Sequence, residues 1–223
     1  MHQRKSKKIL LYFFLLIIIS TISNSSINNL EFKKIKNINI SGLEAKNNQI
    51  ILNQLKSLNL ENIFSINKNQ IVKLINSNPL IEKYEIFKKY PSTININIEK
   101  TKFLEKINDD GKTFLVGSNG KLILLKKHFK DLPYIFGKPN IDEFLKFKKI
   151  IDKSKFSYTQ IDSLYFFPSK RWDIKLKENI LLKLPNNYTN ESLDYLHEFL
   201  ENYNVKNFTV VDYRINNQII LDE

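Results

Sequence analysis

Few residues of this 223-residue chain combine a type and a spacing that would support catalysis. Gly111-Lys112-Thr113 imitates the end of a phosphate-binding loop, but that pattern requires a glycine five residues before Gly111, where the chain has Lys106. Asp109 and Asp110 would also repel a phosphate from this position. The segment therefore predicts a hairpin turn and not a nucleotide site.

Metal ligands and paired acids show no functional spacing either. His2, His128 and His197 are far apart in the sequence, and none occurs in a His-x-x-x-His or His-x-Glu pattern. Cysteine is absent, which excludes disulfides, thiolate metal sites and cysteine nucleophiles. Asp142-Glu143 and Asp222-Glu223 fit a helix start and a chain end. We therefore predict no enzyme, no catalytic residue, no metal site, no cofactor and no small-molecule substrate.

The charge balance superficially suggests nucleic-acid binding. Lys and Arg total 35 against 23 Asp and Glu, which gives a net charge of +12. Only three of the basic residues are Arg, the side chain best suited to bidentate phosphate recognition. The chain has 32 Ile, 28 Asn and 32 Lys, whose codons are rich in A and T. We attribute the Lys excess to genome composition and predict no nucleic-acid partner.

The N-terminus has the pattern of a membrane-targeting segment. Residues 1–8 contain four basic residues and no acid, Ile9 to Ile19 form an unbroken apolar run, and the next charged residue is Glu31. A membrane span needs about 17–20 apolar residues, a length that residues 9–27 just reach. The basic tail is expected to stay in the cytoplasm while the rest is exported. The alternative is a signal peptide cleaved near Ser23-Asn24-Ser25.

Residues 32–101 are predicted to form one small α+β domain. Ile94, Ile96 and Ile98 alternate with polar residues, so we expect one face of their strand to be buried against helices carrying Leu55 and Ile71. The element order is strand, helix, helix, strand, strand, which gives one sheet with two helices on one face. The predicted elements are a strand at Lys33–Ile40, helices from Asn48 to Leu58 and from Asn67 to Asn78-Pro79, and strands at Ile81–Lys88 and Thr93–Glu99.

Residues 102–223 are predicted to form a strand-rich domain with two helices. Turn signals at Asp109-Asp110-Gly111 and Ser118-Asn119-Gly120 separate its first short apolar runs. The later elements are a loop from Leu132-Pro133 to Pro139, a helix at Asp142–Ser154, strands at Ile161–Phe167, Arg171–Leu176 and Ile180–Leu184, a helix at Asn190–Glu201, a strand at Phe208–Arg214, a turn at Asn216-Asn217 and a final strand at Gln218–Leu221.

Eight short segments stand out by their order and spacing. They are Ile38-x-Ile40-x-Gly42, Asn78-Pro79-x-Ile81, Tyr90-Pro91-Ser92-Thr93-Ile94-x-Ile96-x-Ile98-Glu99, Leu115-Val116-x-x-x-Gly120, Leu132-Pro133 with Gly137, Arg171-Trp172-Asp173-Ile174-x-Leu176, Ile180-x-x-x-Leu184 and Val211-Asp212-Tyr213-Arg214. In this order they resemble the FtsQ/DivIB family of cell-division proteins, across nearly the whole chain. The chain departs from that family after Arg214, where Ile215 replaces a frequent Tyr and no aromatic residue ends the last strand.

The resemblance implies an architecture and a role. It implies a cytoplasmic tail at residues 1–8, a transmembrane helix at 9–27, a POTRA-like domain at 32–101 and a C-terminal β-rich domain at 102–223. The protein would be a non-enzymatic, single-pass type II protein of the inner membrane, with periplasmic domains at the division septum. Its partners would be FtsB and FtsL, bound mainly through the second domain. The alternative is a soluble periplasmic or outer-membrane-associated POTRA-type binding module with a cleaved signal.

The final strand is the predicted partner-binding site. A terminal strand at a sheet edge leaves one row of backbone N–H and C=O groups unpaired, and these groups can accept an extended segment of a partner. The alternative is that the protein's own loops cap this edge. The candidate contacts are Arg214, Gln218, Ile219, Ile220 and Leu221. Structural roles are expected for Gly42 and Pro91 in turns, for Trp172 in the core or on the sheet, and for Asp212, which shares a strand face with Arg214.

Overall fold

The computed structural model describes residues 3–22, 34–58, 60–64, 66–125, 131–203, 208–215 and 218–222. These residues form an N-terminal helix, a three-stranded sheet with two helices and a nine-stranded sheet with two further helices. Helices and strands are mixed in both sheet-containing parts, so the fold class is α+β, as the sequence predicts.

Helix α1 comprises Gln3–Ile22. The apolar side chains of Ile9 to Ile19 on this helix are exposed. In the part of the chain that the structure describes, no helix is both long and apolar enough to cross a bilayer. The predicted span at residues 9–27 continues into residues 23–27, which lie outside the described residues, and it stays a prediction.

The first module has the predicted order of elements. Two helices cover one face of its sheet, and Ile94, Ile96 and Ile98 of the central strand are buried beneath them. The sheet order is β1-β3-β2, with β1 parallel and β2 antiparallel to β3. The elements are β1 (Asn37–Ser41), α2 (Ala45–Lys56), α3 (Lys68–Ser77), β2 (Ile81–Lys89) and β3 (Thr93–Lys100).

The start of α2 differs from the prediction. The sequence predicts a helix that starts at Asn48, whereas the observed helix begins at Ala45 after Glu44. The amide of Asn48 instead binds the preceding chain, accepting from the Leu43 N–H at 3.3 Å and donating to the Leu43 carbonyl at 3.0 Å. Asn48 therefore hydrogen-bonds the chain that enters the helix, as a capping residue does. It does so from within the first helical turn and not from the position before it.

The second module is a nine-stranded sheet covered on one face by α4 and α5. Its strand order is β12-β11-β10-β9-β8-β7-β4-β5-β6. Residues from both helices and from the central strands belong to one buried cluster that includes Phe147, Trp172 and Leu196. The elements are β4 (Phe103–Asp109), β5 (Lys112–Gly117), β6 (Leu122–Leu124), β7 (Tyr134–Phe136), α4 (Ile141–Lys153), a 3₁₀ turn (Tyr158–Gln160), β8 (Ile161–Phe166), β9 (Trp172–Leu176), β10 (Leu181–Lys183), α5 (Asn190–Asn202), β11 (Val210–Asp212) and β12 (Ile220–Asp222).

Strand β7 lies where the sequence predicted only a loop. It has three residues and runs parallel to both neighbours, β4 and β8, in the interior of the sheet. Gly137 ends it with a φ of +96°, and a Cβ there would lie 2.2 Å from the Phe166 carbonyl oxygen. The glycine thus permits a close approach to β8. So short a strand shows no periodicity that sequence could reveal.

The two modules meet at the turn that follows β5. The Asn119 amide donates to the carbonyls of Pro79 and Ile81 in the first module, each at 2.9 Å. The Ser118 hydroxyl donates to the Glu82 carboxylate at 2.7 Å. Ser118-Asn119-Gly120 is thus both a hairpin turn and the hydrogen-bonded joint between the modules.

Candidate partner-binding edge

Strand β12 is the outermost strand at one end of the nine-stranded sheet. It pairs antiparallel with β11, where Val211 faces Leu221 and Asp212 faces Ile220. Among the described residues no strand lies on its other side. An edge of this kind presents backbone donors and acceptors that have no ladder partner.

The five candidate contact residues divide by side-chain direction. Ile219 and Leu221 are partly buried and pack against the core of the module. Ile220 is 48% exposed, and Gln218 and Arg214 are also exposed. A partner strand would therefore meet Ile219 and Leu221 only through their backbone. Ile220 is the apolar side chain that the edge presents outward.

Asp212 and Arg214 form a clasp at the end of β11. The Arg214 Nε lies 2.9 Å from both carboxylate oxygens of Asp212, and its Nη2 lies 2.6 Å from Oδ2. The Arg214 backbone N–H donates to the same carboxylate at 3.0 Å. Burial on its own would raise the pKa of Asp212, but these hydrogen bonds outweigh it and hold the pKa below its ordinary value of 3.8. The carboxylate therefore stays ionised and fixes the arginine beside the edge.

A row of alternating charges continues from this clasp across the face of the sheet that the helices leave open. Lys183 lies between Asp212 on β11 and Asp173 on β9. Arg171 donates to both oxygens of Asp173 at 3.0 and 3.2 Å. Burial is the largest influence on Asp173 and raises its pKa despite these positive neighbours. The sequence did not predict this row, because the pairing of distant strands sets it.

The residues expected to be structural occupy tightly constrained positions. Gly42 has a φ of +109°, and a Cβ there would lie 1.7 Å from the Ile98 carbonyl oxygen, so no other residue fits. Pro91 lies in the turn between β2 and β3, after a cis peptide bond from Tyr90. Trp172 is 1% exposed and belongs to the core of the second module.

Tyr213 contacts the helix layer, a role that the sequence analysis did not assign to it. It is buried two residues after Val211, and its ring lies 5.4 Å from that of Tyr195 on α5. Apolar residues at alternate positions of a strand share a face, so the spacing of Val211 and Tyr213 could have revealed its inward direction. This contact holds the segment after β11 to the helix layer.

Comparison with known proteins identifies relatives of both modules. The model described as POTRA domain, FtsQ-type, matches residues 33–100, and the model described as cell division protein FtsQ/DivIB, C-terminal, matches residues 106–214. Cell division protein FtsQ of Rickettsia bellii (strain RML369-C) is 24% identical over 173 residues, covering 73% of this chain and 61% of that protein. Cell division protein DivIB of Clostridium botulinum (strain Loch Maree / Type A3) is 31% identical over 107 residues, 46% of this chain and 42% of that protein.

A solved structure also aligns with part of the chain. It is the major extracytoplasmic domain of the trans isomer of the cell division protein DivIB from Geobacillus stearothermophilus, with 12% identity and a TM-score of 0.34, covering 48% of this chain and 99% of that one. The assignment depends on the two family models, which together match most of the sequence in the expected order. They confirm the resemblance found in the sequence, and the chain belongs to the FtsQ/DivIB family of cell division proteins.

Proposed function

We propose that this protein is a non-enzymatic scaffold of bacterial cell division that binds FtsB- and FtsL-type proteins at the β12 edge. The observation that carries the proposal is the position of β12, which has β11 on one side and no strand among the described residues on the other. An extended segment of a partner would add to this edge. Backbone hydrogen bonds would supply affinity, and side-chain contacts at alternate positions would supply selectivity.

The side chains around the edge support a specific contact. The partly buried Ile219 and Leu221 hold the strand to the core, while the outward Ile220 offers an apolar surface. Asp212 engages the Nε and Nη2 groups of Arg214, whose side chain is still 50% exposed. A guanidinium has five donors, so Arg214 also binds a carbonyl or carboxylate of the partner segment.

The proposal includes a topology. Residues 1–8 stay in the cytoplasm, residues 9–27 anchor the chain in the inner membrane, and both modules lie in the periplasm at the septum. The supporting observations are the four basic residues before Ile9 and the exposed apolar side chains of Ile9 to Ile19 on α1. The first module contributes to septal recruitment and the second to partner binding.

A matched pair of proline variants tests the edge. Ile220→Pro removes a backbone donor and obstructs strand pairing on β12. Leu124→Pro places a proline on β6, the strand at the opposite end of the same sheet, at a position of similar exposure, 45% against 48% for Ile220. With the full chain in detergent and the FtsB- and FtsL-type proteins of the same organism, we expect Ile220→Pro to weaken binding at least roughly tenfold and Leu124→Pro to leave it unchanged.

A truncation after Asn217 provides the second variant. It removes β12 and should abolish binding while the first module stays folded. Trp172 fluorescence and far-UV circular dichroism check that each variant retains its fold. Wild-type affinity in both folded variants would show that β12 is not the interface, and an equal loss in Leu124→Pro would show that the effect is not specific to this edge.

A further inference from the structure

Three exposed aromatic side chains lie at one end of the first module, with Phe87 on the sheet face that points away from the helices. Phe64 lies between α2 and α3, Phe87 near the end of β2, and Tyr90 in the turn before β3. Their exposed fractions are 58%, 50% and 59%. The rings of Phe64 and Tyr90 are in contact, with centroids 5.2 Å apart. Large apolar rings left together in water are typical of a contact surface.

Exposed lysines lie at the same end of the module. Two hydrogen bonds place them there: the Lys36 N–H donates to the Ser92 carbonyl at 2.9 Å, and the Lys88 ammonium donates to the Ile63 carbonyl at 2.8 Å. Glu61 also lies at this end, because its carbonyl accepts a hydrogen bond from the Ile35 N–H at 3.1 Å. We call this surface the aromatic–lysine patch, which consists of Lys34, Lys36, Phe64, Phe87, Lys88, Lys89 and Tyr90.

Chain connectivity sets where the patch lies. Lys34, the first residue of the patch, follows Ile22, the end of α1, by twelve residues. Twelve residues span at most about 40 Å when fully extended. At the other end of β3, Lys100 leads directly into the second module. The chain that comes from the N-terminal helix therefore enters the first module at the end that carries the patch. It leaves toward the second module at the opposite end.

We infer that the aromatic–lysine patch rests on an anionic lipid surface, that of the membrane which the N-terminal segment enters. This inference rests on the proposed anchored topology. Aromatic rings favour the interfacial layer of a bilayer, and lysines close to an anionic leaflet are attracted to its surface. The four lysines of the patch outnumber the exposed acidic residues near it, Glu61 and Glu85, and this positive excess matches a uniformly negative surface.

The contact would set the height of the second module. Strand β3 runs from Thr93 at the patch to Lys100 at the joint with the second module. Its eight residues span about 26 Å at ~3.3 Å per residue. With the patch on the lipid, β3 stands away from the membrane and holds the second module at about this distance from the headgroups.

The chain contains no cysteine, so a single introduced one gives a site-specific probe. An environment-sensitive fluorophore is attached at Asn37→Cys, where Asn37 pairs with Thr93 beside the patch, or at Lys46→Cys near the opposite end. The full chain is placed in nanodiscs of phosphatidylcholine and phosphatidylglycerol that contain headgroup spin labels. We expect quenching at position 37 and none at 46, and a loss of quenching when phosphatidylglycerol is left out or salt is raised.

A triple variant tests the rings themselves. Phe64→Ser, Phe87→Ser and Tyr90→Ser together should abolish quenching at position 37. The control carries serine at three exposed apolar positions of the second module, Leu122, Leu124 and Ile215, and should retain the quenching.

The outcomes separate the two proposals. A chain that elutes without the nanodisc overturns the anchored topology and this inference with it. A chain that stays with the nanodisc but shows no quenching at position 37 leaves the anchor standing and overturns the lipid contact alone. Quenching at position 37 that is equally strong without phosphatidylglycerol would show that the contact does not depend on an anionic surface and would also overturn the inference.

Discussion

The indole of Trp172 stacks on the ring of Phe147, with centroids 4.7 Å apart and planes inclined by 13°. Trp172 begins β9 and Phe147 lies on α4, so this contact joins the helix layer to the sheet. Both side chains are almost completely buried. Aromatic pairs of this geometry contribute about 0.5–1.5 kcal/mol beyond the area they bury.

Trp172→Ala should therefore destabilise the second module strongly. We expect a loss of about 3–5 kcal/mol in the free energy of unfolding, because the substitution leaves a large cavity between sheet and helix. Urea unfolding of the full chain in detergent, followed by far-UV circular dichroism, measures it. Leu124→Ala is the control, since Leu124 is 45% exposed on β6 and should cost less than about 1 kcal/mol. Equal costs for the two variants would contradict this account of the core.

Ile96→Ala tests the core of the first module in the same way. Ile96 is 1% exposed and lies in a buried cluster with Leu55 and Ile71 of the two helices. The variant should lose about 2–4 kcal/mol, whereas Ile50→Ala, at a position 45% exposed on α2, should lose little. Circular dichroism follows the loss, and Trp172 fluorescence shows whether the second module stays folded. A cost below about 0.5 kcal/mol would mean that the strand face is exposed.

Regular patterns in the sequence predicted the features that depend on local order. Alternation in β3 identified Ile94, Ile96 and Ile98 as buried, because one face of a half-covered strand must be apolar. The position of the last apolar run at the chain end predicted a sheet edge, and β12 lies there. The sequence does not show which strands are neighbours in the sheet. It therefore could not place Lys183 between Asp212 and Asp173.

Irregular register defeats such patterns. Glu105 follows a shift in pairing between β4 and β5, and this shift places it opposite the buried Val116. An extra residue in one strand changes which side chains face the core, and here Leu104 before the shift packs against the core as well. Glu105 lies on the core side together with Ile107, two residues later, and is completely buried despite its charge. This burial makes Glu105 a test of the fold.

The topology prediction rests on the charge asymmetry around the apolar run. Four basic residues precede Ile9, and the next charged residue is Glu31. A reporter enzyme that is active only after export should work when fused after Glu223 and fail when fused after Lys8. N-terminal sequencing of the mature protein should find the intact start of the chain. A cytoplasmic signal from the Glu223 fusion, or a mature N-terminus near Ser26, would reject the anchored form.

Glu105 is predicted to make the stability of the second module depend on pH. The residue is 0% exposed, and neither carboxylate oxygen has a hydrogen-bond partner among the described residues. Burial raises its pKa well above 4.5, and the opposing attraction of Lys148 and Lys106 is weaker. The carboxyl group is therefore neutral in the folded protein under conditions where it is ionised in the unfolded chain.

The sign of the effect follows from proton binding. A folded pKa above the unfolded one gives stability that is fully present below pH 4.5 and is lost as the pH rises through the folded pKa. Glu105→Gln keeps the shape and stays neutral, so it should match the wild type near pH 4.5 and be the more stable protein at about pH 8. Glu99→Gln, at a side chain 59% exposed, is the control and should leave the pH dependence unchanged. Urea unfolding monitored by Trp172 fluorescence across this pH range measures the free energy of unfolding of each variant. A Glu105→Gln variant that is less stable than wild type at every pH would show that the buried group is ionised and paired.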